Sequence, residues 1–156
     1  MQAALAVSEY EEERGKPMPS WNHSLAQSYL VGALLNRYEG QYLILTELTL
    51  ALADGPLVPD VSIYPKVAND WRHDIVKQVE PPLMVIEILS PRQTADDLIE
   101  KADAYFEAGV KSCWIVQPSF EAIAVLLPDA KPQFFTTGEV VDPGTGITVA
   151  VEEIFR

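Results

Sequence analysis

Apolar and polar positions along this chain switch between two periods, and the switches divide it into elements. Residues 83–89 are apolar at every position except Glu87, the pattern of a strand covered on both faces. Residues 60–64 alternate instead, with Val61 and Ile63 on one side and Asp60, Ser62 and Tyr64 on the other. The stretch 42–53 is rich in Leu, Ile and Thr and ends in the turn signal Asp54-Gly55-Pro56. It predicts one long strand or two short ones meeting at a bend. Three further strands are expected over 112–117, 122–127 and 133–137, punctuated by Pro118, Pro128 and Pro132.

Two segments carry helical spacing. After a cap at Ser20 or Asn22, the residues Leu25, Tyr29, Gly32, Ala33 and Asn36 recur at intervals of three and four up to Gly40. The second helix is expected over 95–108, ended by Gly109. Its apolar stripe comprises Ala95, Leu98, Ile99, Ala102, Tyr105 and Phe106, and the acids Asp96, Glu100, Asp103 and Glu107 lie opposite. Lys101 falls in neither group, at about −60° from Leu98 at 100° per residue. There its stem can lie along a sheet and carry the ammonium inward, or it can pair with Asp97 four residues earlier. Residues 7–14 read as a short strand or extended segment closed by Gly15, Pro17 and Pro19, and 65–82 as a polar loop.

The 156 residues, 48% of them hydrophobic, suit one domain spanning 1–156 with a sizeable core. No apolar run approaches the roughly 18 residues of a membrane helix. Residues 1–7 lack the basic start of a secretion signal, so a cytoplasmic protein without a membrane segment is expected. The single cysteine, Cys113, excludes an intramolecular disulfide and is expected in the core. With His23 and His73 alone there is no zinc-site spacing.

A net charge of −12 runs against tight non-specific binding to nucleic acid. Location changes that picture. Glu9, Glu11, Glu12 and Glu13 crowd the N-terminal stretch, whereas Lys66, Arg72 and Lys77 lie between Asp60 and Glu87, which predicts a basic rim for any site those two acids form.

Burying an unpaired carboxylate costs several kcal/mol, so Glu87 must be protonated, paired or bound to metal. Asp60 begins a neighbouring strand and can supply a second oxygen ligand to Mg²⁺ or Mn²⁺, with the Lys101 ammonium orienting a water or offsetting phosphate charge. The plainer accounts are, for Glu87, a salt bridge with an internal Lys or Arg or a strand end at the surface and, for Asp60, a turn acid after Pro59. Glu47 reads as a strand-end surface acid, with an auxiliary metal or proton-transfer role as the alternative. His23 reads as solvated, with an approach to the site as the alternative. A glycosidase pair ranks low, since nothing suggests a sugar cleft beyond scattered Trp21, Trp71 and Trp114.

Taken together, 58–62 (Val-Pro-Asp-Val-Ser), 85–91 (Val-Ile-Glu-Ile-Leu-Ser-Pro), Asp97 with Lys101, 105–110 and 113–118 resemble the Uma-two (Uma2) family of the restriction-endonuclease-like superfamily of PD-(D/E)XK nucleases. The resemblance runs over about residues 10–127. It implies an α/β fold with an αβββαβ core, a mixed central sheet flanked by helices, and extra carboxy-terminal strands. It also implies metal held by Asp60, Glu87 and the main-chain carbonyl of Ile88. The superfamily's usual lysine, two residues after the acid, is Leu89 here, so the resemblance moves that role to Lys101. Gln117 stands where many members carry an acid. The activity implied is Mg²⁺- or Mn²⁺-dependent hydrolysis of nucleic acid. The alternative, favoured by the charge, is a catalytically silent interaction or assembly module; either version is expected to form a homodimer through the apolar carboxy-terminal strands.

Overall fold

The computed structural model describes residues 8–14 and 16–156. The chain opens with α1 (Glu9–Arg14), so most of the segment expected to be extended is helical. Ser8 explains it: its side chain accepts from the Glu11 main-chain N–H at 3.2 Å while Glu11 Oε2 accepts from the Ser8 N–H at 2.9 Å, a capping box. Val7 and Gly15, which bounded that expected segment, lie outside the described residues. The long helix α2 (Trp21–Tyr38) starts where Ser20 accepts from the main-chain N–H of His23.

The chain then forms β1 (Tyr42–Thr46), β2 (Thr49–Leu52), β3 (Gly55–Leu57), β4 (Val61–Pro65), the two-residue β5 (Lys77–Gln78) and β6 (Met84–Ile88). The bend expected in 42–53 falls at Glu47, whose φ of 57° breaks β1 from β2 and sends them into different sheets. Helix α3 (Ala95–Glu107) follows. Its N-terminus is closed by a second capping box, Thr94 with Asp97. At its other end Gly109, at φ 103°, turns the chain into β7 (Ser112–Gln117). After a 3₁₀ turn come β8 (Ala122–Leu126), β9 (Gln133–Phe135), β10 (Glu139–Val141), β11 (Thr148–Ala150) and α4 (Val151–Ile154). The pattern had not revealed β3, β5, β10, β11 or α4, none longer than four residues.

The main sheet has the order β1-β4-β6-β7-β8-β9, with β6 and β7 parallel and the other pairs antiparallel. Read along the chain, α2, β1, β4, β6, α3 and β7 make the expected αβββαβ core. Every residue of β6 is buried, as its apolar run required. Met84, Ile86 and Ile88 face the core under α2, while Val85 packs with Leu98, Ala102 and Tyr105 of α3. Glu87 shares the parity of Val85 and so points to the α3 side. The β10–β11 hairpin and α4 are tied to α2 through Arg37, which bonds Glu139, Glu153 and Thr148. Among the described residues no helix is long and apolar enough to cross a membrane.

Candidate metal centre

Asp60 ends the loop into β4, and the β4–β6 register pairs Val61 with Ile86; one step further sets Asp60 opposite Glu87. Both carboxylates are 1% exposed. The two acids that sequence spacing suggested are thus neighbours at one end of a buried strand pair.

Asp60 is fully engaged. Its Oδ2 accepts from the main-chain N–H of Ile88 at 2.7 Å and lies 3.2 Å from His23 Nε2, and its Oδ1 accepts from Lys16 Nζ at 2.5 Å. Burial pushes the Asp60 pKa up, but the hydrogen bond from His23 and the charge of Lys16 outweigh it and carry the group down to about 2. Glu87 differs. Its Oε1 accepts from the Tyr105 hydroxyl at 2.6 Å, and its Oε2 is buried with no hydrogen-bond partner among the described residues. Burial, then the charge of Asp60, pushes its carboxyl up to about 7 against the pull of Lys16, Lys101 and Tyr105. One carboxylate is held ionised and the other is poised near neutrality.

Lys101 is half-buried on the wall of a cavity of about 460 Å³ whose lining includes Pro17, Leu57, Arg92, Asp97 and Glu100. Its charge is felt by both Glu87 and Asp97. Asp97 also caps α3, where its Oδ2 accepts from the Thr94 N–H at 2.9 Å, and the pull of Lys101 on its pKa leaves the Lys101–Asp97 pairing open.

Other expectations are corrected. His23 is not solvated: as the third residue of α2, behind the Ser20 cap, it is 3% exposed and its ring reaches Asp60. Glu47 is a strand-end acid, as expected, yet only 34% of its side chain is exposed and it faces Lys16 Nζ at 3.4 Å. Its strained backbone is held by a hydrogen bond from its own N–H to the Asp60 carbonyl at 3.2 Å. The basic rim is not built as expected. The N–H of Lys66 bonds the Gln41 carbonyl, at the end of β4 away from Asp60, a strand length of about 20 Å. Arg72 is exposed in the loop that leaves from that far end. Lys77 alone is brought back, by pairing with Thr49 of β2.

Sequence reasoning missed Lys16 and Tyr105. Tyr105 was counted in the apolar stripe of α3, where only its ring was considered. Lys16 sits in 16–20, an irregular stretch with no periodicity to read.

The donor set fits a hard divalent ion: buried carboxylate oxygens, one of them without a hydrogen-bond partner among the described residues, at the end of β6, where the N–H of Ile88 holds Asp60. Among the described residues no three His, Cys, Asp or Glu side chains stand together as a ready cage. Such a centre would leave several positions to water, as Mg²⁺ prefers.

A search against proteins of curated function gives no match. Among solved structures, the chain is similar to "a putative nuclease belonging to DUF820" from Anabaena variabilis. The TM-score is 0.75 at 22% identity, over 89% of this chain and 83% of that one, a likeness of fold. It also aligns with a DrdV–DNA complex at a TM-score of 0.40 and 19% identity, over 72% of this chain and 66% of that one. The fold is restriction-endonuclease-like. Residues 10–152 match the model of the Uma2 family, described as "Putative restriction endonuclease", and the chain belongs to that family.

Proposed function

We propose that the protein is a nuclease whose hydrolysis of phosphodiester bonds depends on Mg²⁺ or Mn²⁺. The observation that carries the reading is the buried Asp60–Glu87 pair on adjacent strands, with Glu87 Oε2 lacking a hydrogen-bond partner among the described residues. Asp60, Glu87 and the carbonyl of Ile88 would hold the ion, which supplies Lewis acidity at the phosphate when bound. Membership of the Uma2 family supports the same activity.

The chain's own groups have separable tasks. The Ile88 N–H and His23 fix the Asp60 carboxylate in one orientation. Tyr105 fixes Glu87 from the α3 side, leaving Oε2 directed elsewhere. Lys101 would meet a non-bridging phosphate oxygen or position the attacking water, a role supported by its place on a cavity wall and by its charge acting on Glu87. The substrate is nucleic acid, and a second copy of the chain joined through the carboxy-terminal strands would widen the surface available to it.

A net charge of −12 favours a second reading, a silent assembly module on the same fold. One experiment separates the two: the wild type, Glu87→Gln and Asp60→Asn are incubated with single- and double-stranded DNA and RNA in Mn²⁺, Mg²⁺ or EDTA. The nuclease reading expects cleavage by the wild type only, abolished by EDTA and by either substitution with the far-UV circular dichroism unchanged. Cleavage that persists in Glu87→Gln sinks the proposed site; no cleavage of any substrate by the wild type favours the module.

A further inference from the structure

Lys16 is the one Lys or Arg that is buried among the described residues. Its side chain is 4% exposed, its Nζ donates to Asp60 Oδ1 at 2.5 Å and lies 3.4 Å from Glu47 Oε2, and its charge acts on Glu87. Two acids, Asp60 just before β4 and Glu47 just after β1, therefore face one ammonium that enters from outside the sheet, and its charge reaches Glu87.

An ion ligated by Asp60 must find a lone pair there, and the two oxygens already serve three partners. The partners differ in freedom. The Ile88 N–H belongs to β6, the most buried strand, and His23 is anchored in α2. Lys16 is carried by the irregular segment between α1 and α2 on a flexible four-carbon stem. Two cations on one carboxylate oxygen in a buried site repel strongly. The partner that can leave is Lys16.

We infer that Lys16 is a resident counter-cation of the carboxylate centre, which a divalent ion displaces from Asp60 and Glu47, so that metal loading and release of the Lys16 ammonium are one event. This rests on the metal-centre reading above and adds the chain's own competitor to it. The segment is latched besides at Glu11, 4% exposed, whose Oε1 accepts from the Met18 N–H at 2.8 Å and pairs with Arg92. Arg92 and Pro17 both line the cavity that holds Lys101, so displacement of the segment would alter the wall against which substrate is placed.

The test reads metal binding and lysine accessibility, not cleavage. Mn²⁺ is titrated calorimetrically into wild type, Lys16→Met and Asp60→Asn, and wild-type Lys16 is acetylated with a water-soluble reagent, with and without Mn²⁺, and quantified by mass spectrometry. Displacement predicts at least tenfold tighter Asp60-dependent Mn²⁺ binding in Lys16→Met, and Lys16 acetylation in the wild type that rises several-fold with Mn²⁺. Equal or weaker binding by a folded Lys16→Met, or Lys16 still protected in the Mn²⁺-saturated wild type, overturns the inference and leaves the metal centre standing. If Lys16→Met fails to fold, the wild-type acetylation decides alone. No Asp60-dependent binding in any of the proteins overturns both.

Discussion

The charge state of Glu87 gives a measurable prediction that needs no substrate. In the metal-free protein its carboxyl is pushed from an ordinary value of 4.5 to about 7, by burial first and by Asp60 second. The sign follows from linkage. Between those two values the unfolded chain ionises at this position while the folded chain stays protonated, so stability falls as pH rises, and above about 7 the loss is constant. At about 1.4 kcal/mol for each tenfold change in proton affinity the full gap corresponds to about 3 kcal/mol. Local relaxation and water entry reduce it to about 1–3 kcal/mol. Urea unfolding in EDTA, for wild type and Glu87→Gln at pH 4.5 and at pH 8, isolates the term: the amide cannot ionise. The stability of the wild type relative to the variant should fall by that amount between the two pH values. Parallel profiles, with the difference unchanged within about 0.5 kcal/mol, would refute the account of Glu87 as a carboxylate held against its own ionisation.

Two further substitutions probe the surroundings. Tyr105→Phe removes the hydroxyl that donates to Glu87 Oε1, a hydrogen bond that favours its ionised form, so the Glu87 titration should move above about 7 in carboxyl-carbon NMR; an unchanged or lowered midpoint contradicts the hydrogen bond. Asp142, fully buried, accepts from Ser112 at 2.6 Å and from Thr145 at 2.5 Å and organises the turn before β11; Asp142→Ala should cost about 2–4 kcal/mol in urea unfolding, and a loss below about 1 kcal/mol would show that turn to be unimportant.

The parts of the fold legible in sequence are those whose residues answer to a local period. The run 83–89 became β6 because an unbroken apolar stretch of that length has one stable placement, between two layers. The stripe of α3 was equally plain, although Ile99 is 40% exposed and lies off the buried face. What escaped was short or held from afar. The hairpin β10–β11 and α4 are three and four residues long and are bound to α2 by Arg37, a contact across about a hundred positions that no window along the chain contains. Helix α1 is the exception: Ser8 and Glu11 stand at capping-box spacing, and the signal was passed over in favour of the Pro and Gly that follow.

The site divides along the same line, and the division bears on its charge. Asp60 and Glu87 could be inferred because a carboxylate in an apolar strand has to be compensated. Which groups compensate it could not, since Lys16, His23 and Tyr105 come from an irregular segment and two helices and meet the acids only through the fold. Their arrival changes how the net charge of −12 weighs against a nucleic-acid substrate. Around Asp60, Glu87 and Glu47 stand the ammonium of Lys16 and the half-buried Lys101, so the centre is close to balanced, while Asp96 and Asp103 lie on the exposed surface of α3 and the acids Asp97 and Glu100 share the cavity wall with the cations Lys101 and Arg92. Repulsion of a phosphodiester is set chiefly by charges within a Debye length, about 8 Å at physiological salt, and screened beyond it. On the proposed nuclease reading, the acidic total therefore lowers the affinity for a long polyanion more than it would oppose chemistry at a single phosphate brought to the Asp60–Glu87 pair.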